Sequence, residues 1–225
     1  MDKSSDIKKE ALDPKELAKH LRQPQGSIGL EVGTTMNTVN AGVNRACHQL
    51  LALEGSDRVL ELGPANGRFV SELLQANPGI TYTGVDWSDD MVAEAERTNA
   101  EWVATNQARF LQGNSDNLPF PDNTFDKVLA VNTLYFWDKP ADHLAQVARV
   151  MRPGGLFCLA FGDRSFMETL AFTAYGFMLY DRQSATALLE RNGLRVVEAQ
   201  EYREMGKSNT GEPVEKFGHA LVCTI

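Results

Sequence analysis

From Arg58 onward the chain settles into a rhythm of short apolar runs, turns and helical spacing. RVLEL (58–62) is an apolar run closed by GPANG. Phe69, Val70, Leu73 and Leu74 then share one helical face, and Asn77-Pro78-Gly79 stops that helix. ITYTGVD is rich in β-branched residues and predicts a second strand. Ser88 is placed to cap the next helix, with Asp89 and Asp90 in the first turn, where the helix dipole favours acids. Met91, Ala95, Thr98 and Trp102 line one side of it. ARFLQGN predicts a third strand and FDKVLAVN a fourth. The helix around Leu144, Val147, Ala148 and Met151 ends at Arg152-Pro153-Gly154-Gly155, and LFCLAFG predicts a fifth strand. Strands alternating with helices in this way make a parallel α/β sheet covered on both faces. After Asp181 the order changes. A helix (SATALLERNG) precedes two strand-like segments, LRVVEAQEY and EKFGHALVCTI, with no helical pattern between them. That predicts an antiparallel hairpin added to the parallel sheet.

The first fifty residues read differently. Asp13-Pro14 opens a short helix. Thr38 to Leu53 carries Val39, Val43, Ala46, Leu50 and Leu53 at helical spacing. Between them lies a Gly-containing stretch, residues 28–37, too apolar for a free tail. We expect residues 1–53 to be a helical extension acting as a lid, with Met36 or Asn37 over a bound cofactor, and residues 54–225 to form the main domain.

Composition narrows the classes. The chain has 225 residues, 43% hydrophobic and 23% charged, as in ordinary globular domains. Lys and Arg number 22 against 30 Asp and Glu, a net charge of −8 with no basic block. Such a chain lacks the footprint for duplex phosphates, so neither a nucleic-acid nor a membrane partner is expected. Cys47, Cys158 and Cys223 are far apart and have no zinc-ligand spacing. His20, His48, His143 and His219 are not paired at ligand spacing either, so no metal is expected. His143 is expected to be exposed on a helix behind the sheet, while His48 could approach a cofactor. The N-terminal segment MDKSSDIKKEALDPKELAKH lacks an apolar leader, and no apolar run reaches the ~20 residues of a membrane span. The expected location is cytoplasmic.

Chemistry gathers at the strand ends, where open α/β sheets bind ligands. The first strand runs into Gly63-Pro64-Ala65-Asn66-Gly67, a G-x-A-x-G turn. A pyrophosphate fingerprint would put glycines at 65 and 68, where this chain has Ala65 and Arg68, which disfavours a nicotinamide oxidoreductase. Ala65 fits easily if its φ is negative and is strained if positive. Asp86 ends the second strand, where a carboxylate can accept from both hydroxyls of a ribose. It could equally cap the helix beginning near Ser88. Trp87 offers a flat apolar face, and Asn114 can both donate to and accept from an adenine edge or simply shape a turn beside Gly113.

Taken in order, VLELGPANGRF, YTGVDWSDDMVAEA, FLQGNSDNLPFPDNTFDKVLAVNTLYFW and VARVMRPGGLF resemble the class I S-adenosylmethionine-dependent methyltransferases, over about residues 58–162. The resemblance implies a doubly wound, mostly parallel, Rossmann-like sheet of seven strands with an antiparallel last strand. It also implies S-adenosylmethionine as cofactor and a small-molecule acceptor. By position, Glu61 would lie near the amino group of the methionine moiety. Gly63, Ala65 and Gly67 would form the cofactor turn, and Asp86 would hold the ribose. Trp87 would flank the adenine, Asn114 and the Ser115 amide would read its edge, and Asn132 would meet the methionine part. Ala65 and Asn114 depart from the family's usual Gly and Asp, which weakens those contacts.

Methyl transfer from a sulfonium is an in-line displacement at an activated carbon. Proximity and orientation can drive it without a fixed triad, so no catalytic residue is assigned. Tyr135, Trp137, Tyr175 and Tyr180 are the expected substrate contacts, in aromatic segments following the fourth and fifth strands. The other class of function compatible with these residues is a non-catalytic cofactor- or partner-binding module, which would have its crevice filled by its own side chains.

Overall fold

Asp13 caps the first helix, its carboxylate accepting from the amides of Lys15 and Glu16, and Pro14 occupies the first turn, where no backbone donor is needed. The computed structural model describes residues 12–207 and 213–225; the first eleven residues and 208–212, at the centre of the hairpin connection, lie outside the described residues. The helices are α1 (Pro14–Arg22), α2 (Gly26–Leu50), α3 (Val70–Ala76), α4 (Asp89–Thr98), α5 (Ala100–Ala104), α6 (Pro140–Val150), α7 (Arg164–Met167) and α8 (Arg182–Arg191). The strands are β1 (Arg58–Leu62), β2 (Thr81–Asp86), β3 (Ala108–Gln112), β4 (Phe125–Val131), β5 (Met151–Gly162), β6 (Arg195–Lys207) and β7 (Pro213–Thr224).

The seven strands form one sheet in the order β3-β2-β1-β4-β5-β7-β6. Strands β1 to β5 are parallel, and β7 lies antiparallel between β5 and β6. Alternate residues of each central strand face opposite layers, as the pleat requires. Val128 and Ala130, with Phe157, Leu159 and Phe161, pack beneath α6 and α8. Leu129 and Val131, with Cys158 and Ala160, pack against α2 and α3. The expected α/β architecture is therefore present.

Three local expectations are corrected. The second helix begins at Gly26, not near Thr38. Gly26 turns the chain into it with a left-handed φ of +62°, whereas Gly29 and Gly33 are points of close packing. A Cβ on Gly29 would meet the Pro24 carbonyl carbon at 2.6 Å, and one on Gly33 would meet the Met91 sulfur at 3.1 Å. Strand β5 starts at Met151, so Arg152-Pro153-Gly154-Gly155 is a bulged entrance to the strand, marked by a register shift opposite Phe125 and Lys127. Helix α4 stops at Thr98, which is exposed. Asn99 is buried instead, its amide donating to the carbonyls of Gly67 and Ala95.

Candidate active site

The carboxyl ends of β1, β2 and β4 open into a cavity of about 560 Å³. Its floor is the first part of the β1–α3 turn: Gly63 and Ala65 line it, whereas Gly67 packs against Ala95 and Asn99. Gly63 (φ +75°), Ala65 (φ +48°) and Gly67 (φ +65°) all adopt left-handed backbone. Gly63 is also sterically required, since a Cβ there would lie 2.5 Å from the Thr133 methyl. The positive φ at Ala65 settles the sign left open by the sequence and makes this an alanine in a conformation that costs about 1–2 kcal/mol. What holds it there is a hydrogen bond from its amide to Asp86 Oδ2, 2.9 Å.

Asp86 is buried at the cavity wall. Its other oxygen accepts from the Ser88 amide at 2.9 Å. Ser88 itself caps α4, accepting from Met91, so Asp86 is not the cap. Burial pushes its pKa up, against the pull of the Ser88, Ala65 and Trp87 amides. A carboxylate has about four lone-pair sites, and these bonds leave room for a diol. Trp87 lies beside it, 40% exposed, with the Arg22 guanidinium 5.5 Å from its ring centroid.

Asn114 is exposed on the cavity rim and donates to Asp116 at 3.1 Å. Ser115 Oγ lies 2.7 Å from His143 Nδ1, and the His143 ring stacks on Trp137 with centroids 4.9 Å apart. His143 is thus buried rather than exposed, and desolvation lowers its pKa. Trp137 lines the cavity as part of this stack.

At the end of β4, Asn132 takes a left-handed φ of +57°. It donates to Asn40 Oδ1 on α2 at 3.1 Å and accepts from the Tyr135 hydroxyl at 3.0 Å. Tyr135 in turn accepts from the Gly162 amide, and burial raises its pKa. Thr133 Oγ1 and His20 Nδ1, on residues of the cavity wall, are buried without a protein partner. Those orphaned polar atoms, with the Asp86 carboxylate and the glycine cradle, suit a polar nucleoside ligand.

Not every expected residue reaches the cavity. Glu61 does not line it. Its carboxyl lies one layer back, accepting from the Tyr82 hydroxyl at 2.6 Å, and burial pushes its pKa up to about 7. Tyr175 is 47% exposed and Tyr180 half-buried, and neither lines the cavity. Gly176 (φ +82°) reverses the chain there, so that Phe177, not Tyr175, enters the wall. Of the proposed lid pair, Met36 lines the cavity and Asn37 does not. His48 is also absent from the wall, and burial pulls its pKa down to about 4. Conversely, Asn40, Tyr202, Glu204 and Lys216 line the cavity without having been singled out. For the last three the signal was the alternation along the hairpin, but the face it presents depends on a register that sequence alone does not supply, and Asn40 lies on α2.

Among the described residues no group of His, Cys, Asp and Glu could hold a metal ion, and no helix is long and apolar enough to cross a membrane.

Comparison with known proteins agrees with this geometry. Residues 60–159 match a family described as a methyltransferase domain. The chain is 33% identical over 185 residues to a fatty-acid O-methyltransferase of Mycolicibacterium smegmatis, covering 82% of this chain and 62% of that protein. It is 28% identical over 188 residues to O-methyltransferase rstn1 of Aspergillus nomiae, covering 80% of each. The chain spans 41% to 66% of the length of several other curated relatives. Among solved structures, a chain of the complex between the Haloferax volcanii Trm112 methyltransferase activator and its methyltransferase superposes with a TM-score of 0.73 at 18% identity, over 93% of this chain and 97% of that one. Motifs, sheet order and these relatives together show that the chain carries a methyltransferase domain of the class I S-adenosylmethionine-dependent kind.

Proposed function

We propose that this protein transfers the methyl group of S-adenosylmethionine to an oxygen of a small, largely apolar acceptor. The observation that carries the cofactor half is Asp86, a buried carboxylate at the cavity wall whose two oxygens are already aimed by backbone amides. In this reading Asp86 holds the ribose and the Gly63–Gly67 turn lets the cofactor approach β1. Trp87 flanks the adenine, while Asn114 and Ser115 read its edge. Asn132 meets the methionine part, and Glu61 acts from one layer behind the wall. Bound there, S-adenosylmethionine supplies an activated methyl on a sulfonium. The protein's share is alignment and exclusion of water, which can provide roughly 7–11 kcal/mol of a barrier in the best-oriented cases. Oxygen as the acceptor atom is favoured by the names of the two relatives above.

Residues 1–53 serve as the lid in this proposal. Arg22 reaches Asp138 at 2.5 Å, the Gly26 amide donates to Asp90 at 2.7 Å, and Ser88 Oγ donates to the Pro24 carbonyl. These bonds latch the α1–α2 junction across the cavity beside Asp86. Tyr135 and Trp137 remain in the acceptor wall, while Phe177 takes the place expected of Tyr175 and Tyr180. A purely binding module is disfavoured because the crevice is open, not plugged by its own side chains.

Calorimetry with S-adenosylhomocysteine tests the assignment. Asp86→Ala is expected to weaken binding by about 1.5–3 kcal/mol, the range for hydrogen bonds to a charged group. Unchanged affinity overturns the ribose role.

A further inference from the structure

Away from Asp86 the cavity wall is dominated by Met36, Phe136, Phe166, Leu170, Phe172 and Phe177. On the hairpin, two charges interrupt this lining; the other cations of the wall, Arg22 and Lys139, stand on α1 and just before α6. Glu204 on β6 and Lys216 on β7 face each other directly in the hairpin register, with Nζ 3.0 Å from Glu204 Oε1. The cation is the inner member of the pair, since its side chain is 13% exposed against 34% for the carboxylate. Lys216 also donates to the Val39 carbonyl of α2 at 2.8 Å. An ammonium has three donors, so these two bonds leave one for a ligand.

The neighbourhood is built to accept this pair. Gly42 lies in the interior of α2, where glycine is otherwise unfavourable. A Cβ there would collide with the Glu204 carboxylate, so the glycine lets that group seat against the helix and stay beside the lysine. The next residue after Val39 is Asn40, which accepts from Asn132 at the end of β4. The ammonium therefore sits one residue along α2 from the crevice that receives the cofactor.

None of Tyr135, Tyr202 and Glu204 stands as a free base. The Tyr135 hydroxyl is committed to Asn132 and Gly162. Tyr202 is held protonated by burial. Glu204 is paired with the lysine. The unpartnered His20 Nδ1 of the wall lies on α1, whereas a nucleophile that reaches the hairpin side as an anion needs no base and finds a half-buried cation with a spare donor.

We propose that the acceptor is an apolar carboxylic acid, bound as its carboxylate with Lys216 as anchor, and that the product is its methyl ester. This rests on the methyl-transfer reading above. A carboxylate oxygen forms the new O–C bond, the S–C bond breaks, its electron pair stays on sulfur, and no proton moves. Anion and sulfonium both become neutral. Apolar walls favour a step that removes charge, because they solvate the separated ions less well than water does.

The full chain should be assayed with tritiated methyl donor on matched pairs, decanoate with decanol and 3-phenylpropanoate with 3-phenylpropanol, with products identified by mass spectrometry. Methyl esters of the acids are expected, with no ether above the level without protein. Lys216→Met should raise KM for the better acid at least tenfold while leaving S-adenosylhomocysteine affinity within twofold, and Lys216→Arg should recover most of the loss. Preferential methylation of the alcohols, or a KM for Lys216→Met within twofold of the parent, overturns the inference and leaves methyl transfer standing. So does donor binding with neither acid methylated. A wild-type chain that does not bind S-adenosylhomocysteine overturns the methyl-transfer reading itself, and this inference with it.

Discussion

Ala65 and Glu61 show two ways in which a single residue near the cavity works against stability. Ala65 sits at a φ of +48°, a region where glycine is at home. Ala65→Gly relieves the side-chain strain but loosens the unfolded chain, so the net gain should be roughly 0.5–1 kcal/mol. Thermal denaturation checks this, and a lower Tm in the variant contradicts it. Glu61 is held protonated to about pH 7 by burial, against an ordinary value of 4.5. The folded form therefore keeps a proton that the unfolded chain has already lost. Its contribution is fully present below pH 4.5, is lost as pH rises from 4.5 towards 7, and is flat above that. The loss is roughly 3 kcal/mol at most. Glu61→Gln keeps an acceptor for Tyr82 and removes the titration. Urea unfolding should show the variant gaining on the parent between pH 5 and pH 7; a gap that does not grow with pH would be contrary to this account. The position of Asp86 was legible because a strand end followed by Ser88 is a local pattern. The sign of φ at Ala65 was not, since it follows from the Asp86–Ala65 bond across the turn.

The most informative element is α2. Its second half was readable from helical spacing, but its first half was hidden by Gly26, Gly29 and Gly33, which look like punctuation. Packing explains two of them, because Pro24 leaves no room for a Cβ on Gly29 and Met91 crowds Gly33, while Gly26 takes a left-handed φ of +62° at the helix start. This one helix supplies Val32, Gly33, Met36, Val39, Asn40 and Val43 to the cavity wall, whereas α1 supplies His20, Leu21 and Arg22. Removing residues 1–25 deletes α1 and leaves α2 whole. Calorimetry should then show S-adenosylhomocysteine bound at least tenfold more weakly, about 1.4 kcal/mol. Full affinity in the shortened chain would mean that α1 is no part of the lid.

On the scale of the molecule, a parallel α/β sheet with an added hairpin followed from the alternation of strands and helices, while the strand order and the hairpin register did not. That is why the strand-end side of the cavity was legible and the hairpin side was not. Asp86, Trp87, Asn114, Ser115 and Asn132 follow strand ends, whereas Glu204 and Lys216 depend on which residues of β6 and β7 pair. The cavity draws on α1 and α2, on the β1–β4 ends and on the hairpin, so a ligand there ties distant parts of the chain together. Saturating S-adenosylhomocysteine at a hundred times its Kd should add about 2.7 kcal/mol of stability, which corresponds to a rise of roughly 5–10 °C in Tm. Differential scanning calorimetry reads this directly, and no shift at that saturation would argue against a site formed only in the folded state.

The place of β7 has a consequence for synthesis. Because it slots between β5 and β6, a nascent polypeptide still missing it carries a seam of unpaired amides and carbonyls on two strand borders. That adhesive gap closes only when β7 itself emerges from the ribosome, and Lys216 emerges with it.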